Sequence, residues 1–139
     1  MPSGLDGWPG DGANVLVVDD YRLCRLVVRE YLQRSGCTVM TAGCRDDAAQ
    51  VAANAARIDV VVTDVLLPNG NGRDVIRSVR ELHPGAGVLF ISGHDGYHVL
   101  GPLRSDERFL RKPFSAAQLM REIEPLLSRH APPAGAPHR

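Results

Sequence analysis

Lysine is almost missing from this chain. Its sixteen strongly basic side chains comprise fifteen arginines and one lysine, Lys112, which stands directly before a proline in FLRKPF (109–114). Charge excess of either sign is missing too, with 16 Lys and Arg against 16 Asp and Glu. That balance offers no clustered positive footprint for nucleic acid or an anionic membrane surface, so neither is expected as a partner. The opening residues, MPSGLDGWPGDGA, hold no basic segment ahead of an apolar one, and no signal peptide is expected. No run approaches the roughly 18 apolar residues that span a bilayer. Cys24, Cys37 and Cys44 are odd in number and none has CxxC spacing. This argues against a disulfide framework or a zinc site, and for reduced structural thiols in a cytoplasmic protein.

What is present is enough apolar material, 44% of 139 residues, for one ordinary domain. Residues 1–12 are rich in Gly, Pro and Asp, and residues 130–139 in Pro and Ala; both read as flexible segments flanking a domain over 13–129. Short apolar runs alternate with longer amphipathic stretches. NVLVV (14–18), CTVMTA (37–42), IDVVVTD (58–64), GVLFIS (87–92) and RFLR (108–111) have strand length and β-branched content. Leu23, Leu26, Val27 and Tyr31 recur at helical spacing between Arg22 and Ser35, with Gly36 as the stop. An Ala-rich helix is predicted over 45–56. A third begins near Gly72, carries Val75, Ile76, Val79 and Leu82 on one face and ends at His83-Pro84. The last helix starts with a capping box from Ser115 to Gln118; Pro125 within it predicts a bend or an early end.

Strands alternating with helices at this spacing imply a doubly wound parallel α/β sheet covered on both faces. In such sheets the functional crevice lies beyond the carboxyl ends of the strands. The polar residues there are Asp19 and Asp20 after the first strand, Asp64 at the end of the third, Ser92 at the end of the fourth and Lys112 after the fifth. Singly, each has an ordinary explanation: Asp20 as a helix N-cap, Asp64 and Ser92 as turn residues. Together they place three carboxylates, a hydroxyl and an ammonium at one edge. Carboxylates that close repel unless protonated or given a cation, and Mg²⁺ suits an open, oxygen-only site. Lysine supplies a compact point charge where arginine would bring a planar fork.

In combination and order, VLVVDD, VVVTDVLLPNGNG, FISG and FLRKPF resemble the receiver domain of two-component response regulators, over roughly residues 13–129. The resemblance implies a flavodoxin-like, five-stranded parallel sheet of order 2-1-3-4-5. It implies Asp64 as phosphoacceptor, taking its phosphoryl group from a histidine kinase or a histidine phosphotransfer protein. It implies Mg²⁺ held by Asp19, Asp20, Asp64 and the backbone carbonyl of Leu66, with Ser92 and Lys112 on the phosphoryl oxygens. It further implies a conformational switch through Ser92 and Phe109, a loop glycine at Gly72, a cis bond between Lys112 and Pro113, and a downstream protein target met as a monomer or a phosphorylation-dependent dimer. Such a domain catalyses only its own phosphoryl transfer and slow dephosphorylation, and is not otherwise an enzyme.

The chain departs from that pattern between Ser92 and Lys112, where the spacing looks short and Gly93, Gly96, Gly101 and Pro102 disfavour a helix interior. The fourth helix is expected to be short or irregular. Leu66 cannot orient an attacking water, which predicts a long-lived phosphoryl group, with His94 the nearby residue able to do so. The other histidines, His83, His98, His130 and His138, read as surface residues. Some ten residues follow the last helix, too few for an output domain in this sequence. Two alternatives remain: a small phosphatase of the haloacid dehalogenase type, which needs a second Asp where Leu66 stands, and a pseudo-receiver scaffold that is never phosphorylated.

Overall fold

The computed structural model describes residues 12–93 and 96–128. β1 (Asn14–Val18) lies between β2 (Thr38–Ala42) and β3 (Val60–Asp64), and β6 (Gly87–Ser92) and β7 (Glu107–Arg111) extend the sheet beyond β3. Every pairing is parallel, in the order β2-β1-β3-β6-β7. Counting only these five strands, that is the expected order 2-1-3-4-5. Leu66–Leu67 (β4) and Gly70–Asn71 (β5) form a separate two-stranded antiparallel ribbon, where the sequence suggested only a turn.

The central strands are buried on both faces, and their side chains divide with period two. Leu16 and Val18 face one apolar cluster with Ala48 and Ala52 of α2 (Arg45–Asn54), Val75, Ile76 and Val79 of α3 (Gly72–Leu82), and Leu100 of α4 (Gly96–Leu100). Val15 and Val17 face the other, with Val28 and Leu32 of α1 (Arg22–Arg34) and Leu119, Ile123, Leu126 and Leu127 of α5 (Ala116–Ser128). Each of these Val, Leu and Ile side chains contributes about 1.5–3 kcal/mol of transfer free energy, and the two clusters form one core on each face of the sheet.

Local signals set most boundaries. Gly36, at φ +93°, closes α1 in the left-handed conformation that a side chain would resist. Asn71 and Asp74 cap α3 reciprocally, and Ser115 and Gln118 cap α5. Four expectations are corrected. In α1, Leu23 and Val27 are 61% and 46% exposed, and the buried positions are Val28 and Leu32, because the helix turns that pair away from the sheet. Leu82 is likewise exposed, at the last residue of α3. The second helix stops at Asn54, because Ala55 is already extended. The last helix does not end at Pro125 but runs through this exposed proline at least to Ser128.

The fourth helix is short as expected, five residues, and Gly101 at φ +70° follows its end. Its carbonyl end is tied by an arginine from a different helix: Arg73 Nη2 donates to the carbonyls of Leu100 and Pro102 at 3.2 and 3.3 Å. His94, residues 1–11 and residues 129–139 lie outside the described residues, and so do the expectations placed on them.

Candidate functional site

The parallel register delivers the five polar residues to one edge. β1 ends at Val18, so Asp19 and Asp20 follow at the rim; β3 ends in Asp64 and β6 in Ser92. Asp19 is fully buried. Its Oδ1 accepts from the Tyr21 backbone N–H at 2.9 Å and its Oδ2 from Lys112 Nζ at 2.9 Å. The same ammonium donates to Asp64 Oδ2 at 3.2 Å. Asp20 is exposed beside them, and one carboxylate oxygen from each of Asp19, Asp20 and Asp64 falls within 4.8 Å of the others. One ammonium among three carboxylates leaves a deficit of positive charge, and the exposed Asp20 leaves the rim open to water. This donor set, hard oxygens on an open side, fits a divalent cation that keeps part of its hydration shell.

Lys112 is fixed from its backbone as well. Its N–H donates to the Ser92 carbonyl at 2.8 Å, and its bond to Pro113 is cis. Ser92 itself is buried. The loop on the other side closes as tightly: a Cβ at Gly72 would lie 2.8 Å from the Asp64 carbonyl and 3.0 Å from the Phe90 ring. Only glycine fits beneath Asp64 at this approach. A Cβ at Gly96 would lie 2.4 Å from Ser92 Oγ, so the first residue of α4 sits directly on that hydroxyl. Phe109 is partly buried against the cluster under α2, α3 and α4. Leu66 is 55% exposed on the ribbon.

Electrostatics follow from this crowding. Burial raises the Asp64 carboxyl above its ordinary value; Lys112 counters that, while Asp19 and Asp20 add to it. Burial alone would lower Lys112, yet the hydrogen bond and charge of Asp19, followed by the charge of Asp64, raise it overall. Cys24, on the first turn of α1, is pushed up to about 12 by burial and by its hydrogen bond to Asp19, against the pull of Lys112. Its side chain packs against the core cluster at the wall of the site. Nothing in the sequence singled it out, because a cysteine five residues after Asp19 looks like any other apolar helix position.

The family description "Response regulator receiver domain" matches residues 15–124. The chain is 34% identical over 122 residues to the probable transcriptional regulatory protein TcrX of Mycobacterium tuberculosis, covering 86% of this chain and 52% of that one. It is 32% identical over 120 residues to the sensor kinase CckA of Brucella abortus, covering 84% of this chain and 13% of that one. The chain thus spans about half the length of the first of these relatives and a small part of the other. Among solved structures, a response regulator receiver protein from Sinorhizobium medicae superposes with a TM-score of 0.77 at 29% identity, covering 86% of this chain and 98% of that one. The receiver domain of the hybrid histidine kinase CckA does so at 0.71 and 28%, covering 83% and 99%. A cluster of aspartates at the carboxyl edge of a 2-1-3-4-5 sheet, matched over 110 residues by one family, makes this chain a member of the response regulator receiver domains.

Proposed function

We propose that this receiver, over residues 13–129, accepts a phosphoryl group on Asp64 from the phosphohistidine of a histidine kinase or phosphotransfer protein. An Asp64 carboxylate oxygen attacks phosphorus, the P–N bond breaks, and the histidine leaves as imidazole after taking up a proton. Carboxylate is a weak nucleophile, so the transfer depends on alignment and on neutralising the phosphoryl oxygens. Asp19, Asp20, Asp64 and the Leu66 carbonyl would hold Mg²⁺, which supplies most of that neutralisation when bound. Lys112 exchanges part of its contact with Asp64 for the incoming phosphoryl oxygens, and Ser92 hydrogen-bonds another. The single observation that carries the reading is Lys112 Nζ shared between Asp19 and Asp64 beside a third carboxylate.

The new acyl phosphate adds about −1.5 to −2 charges at Asp64. Ser92 moves toward it, and Phe109 takes up the space released. The kinase meets an apolar groove of about 340 Å³ beside Lys112, lined by Tyr21, Leu23, Val27, Pro113 and Phe114. The exposed Leu23 and Val27 belong to that groove rather than to the core. The domain works in the cytoplasm, catalyses no reaction beyond its own phosphorylation and dephosphorylation, and changes its association with a protein target. No described helix is long and apolar enough to cross a membrane.

The test is incubation of wild type and Asp64→Ala with acetyl phosphate and Mg²⁺, read by intact mass and by oligomeric state. One phosphoryl group on wild type and none on the variant is expected. Unlabelled wild type would sink the reading.

A further inference from the structure

We infer that Arg25 is a positioning residue for the cation site, holding the peptide that joins Asp19 to Asp20; this rests on the receiver reading above. Arg25 lies one helical turn into α1, its N–H bonded to the Tyr21 carbonyl at 3.0 Å. Its guanidinium turns back toward the sheet, and Nη1 donates to the Asp19 main-chain carbonyl at 2.8 Å. The β1 ladder ends at this point: the Asp19 N–H still donates to the Ala42 carbonyl at 3.2 Å, but the Asp19 carbonyl is taken by Arg25. The next residue of the neighbouring strand end, Gly43, leaves space for the guanidinium, since a Cβ there would lie 3.0 Å from Nη1.

The two aspartates need this anchor unequally. The Asp19 carboxylate is held by Tyr21 and Lys112. Among the described residues, no hydrogen bond or ion pair holds the Asp20 carboxylate, which is exposed. Its place within 4.8 Å of the other two carboxylates therefore depends on the backbone that carries it. The Asp19 carbonyl lies in the peptide plane whose orientation sets ψ of Asp19 and φ of Asp20. Fixing that carbonyl aims Asp20 into the cluster before any cation arrives, which saves ordering entropy on binding. Groups that orient metal ligands in this way typically change affinity by about 10- to 100-fold.

The experiment is calorimetric titration with Mg²⁺ alone, on wild type, Arg25→Ala, Asp20→Ala and the double variant, alongside urea unfolding of each. Arg25→Ala should weaken Mg²⁺ binding by about tenfold. In the Asp20→Ala background the same change should do nothing further, because Arg25 acts through Asp20. A role in stability alone would shift the urea midpoint and leave Mg²⁺ affinity intact, and that result overturns the inference, as does additivity of the two substitutions. If Arg25→Ala does not fold, Arg25→Met decides: it keeps the aliphatic stem and removes the Nη1 donor to the Asp19 carbonyl, so it should weaken Mg²⁺ binding, and unchanged affinity overturns the inference. Wild type that binds no Mg²⁺ would instead overturn the receiver reading of the site.

Discussion

Arg73 Nη1 lies 2.6 Å from Glu107 Oε2, and this ion pair ties the first turn of α3 to the first residue of β7. The Glu107 side chain is 1% exposed. Its carboxylate also accepts from Arg80 Nη1 at 3.3 Å and from the Arg104 backbone N–H at 2.9 Å. Arg73 meanwhile bonds the carbonyls of Leu100, the last residue of α4, and Pro102, and lies 5.0 Å over the Phe90 ring. One guanidinium thus links the loop beneath Asp64 to the segment between α4 and β7. Removing one partner of a buried pair strands the other, at about 3–5 kcal/mol. Arg80 still serves Glu107, so Arg73→Ala should cost about 3 kcal/mol, read as a lower urea midpoint with an unchanged slope.

The same cluster sets an acid limit on stability. Burial would raise the Glu107 carboxyl, but the Arg73 hydrogen bond, the Arg104 N–H and the charge of Arg73 hold it below its ordinary value of 4.5. A carboxyl depressed in the folded state stabilises fully above its unfolded value, and that contribution disappears as pH falls through the folded value. Wild type should therefore lose stability below about pH 4.5 more steeply than Glu107→Gln. Parallel slopes in urea melts across that window would contradict the prediction.

Gly72→Ala tests the other end of the link. Its Cβ would press on the Asp64 carbonyl and the Phe90 ring, both fixed by the sheet. Overpacking of this kind costs about 1–3 kcal/mol, and the strain is delivered to the strand end that carries Asp64. The variant should unfold at lower urea and take up phosphoryl groups from acetyl phosphate more slowly than wild type at saturating Mg²⁺.

Sequence and structure agree where the signal is local. Buried strands announced themselves by β-branched runs, and Asp19, Asp64, Ser92 and Lys112 by standing at their ends. The brevity of α4 was legible in Gly96 and Gly101. The Arg73–Glu107 pair was not, because 34 residues separate its partners and fifteen arginines offer no way to choose among them. Arg25 was hidden by the number of arginines alone, since its partner Asp19 is only six residues away. The α1 periodicity misled because Leu23 and Val27 are apolar for a surface. Helical spacing alone cannot tell a core stripe from an exposed apolar one.

The Asp64 carboxylate is held at some expense of stability. Burial, with Asp19 and Asp20 adding to it, keeps its carboxyl above the ordinary value despite Lys112. A carboxyl raised in the folded state destabilises once pH exceeds its unfolded value, because the unfolded chain ionises more readily. Asp64→Asn should therefore be more stable than wild type at pH 7, by on the order of 1 kcal/mol. Mg²⁺ relieves the same repulsion, so it should raise the Tm of wild type more than that of Asp64→Asn. An equal rise in both would mean that the cation binds elsewhere.

The lone lysine yields the last prediction. Its ammonium stands 2.9 Å from Asp19 Oδ2 and 3.2 Å from Asp64 Oδ2, a position between two carboxylates that a single point charge can occupy. A guanidinium carries the same charge on a wider planar fork, which would claim one carboxylate bidentately and fill the space that the proposed phosphoryl group would take. Lys112→Arg should therefore fold, since Asp19 keeps a cation, yet lose about tenfold or more in the rate of phosphorylation by acetyl phosphate. Lys112→Ala should fail differently. It leaves Asp19, fully buried, with no cation at 2.9 Å, so it should lose about 3 kcal/mol of stability, and Mg²⁺ should restore part of that loss. Wild-type phosphorylation rates in Lys112→Arg would show that charge alone, not the shape of the cation, is what the site requires.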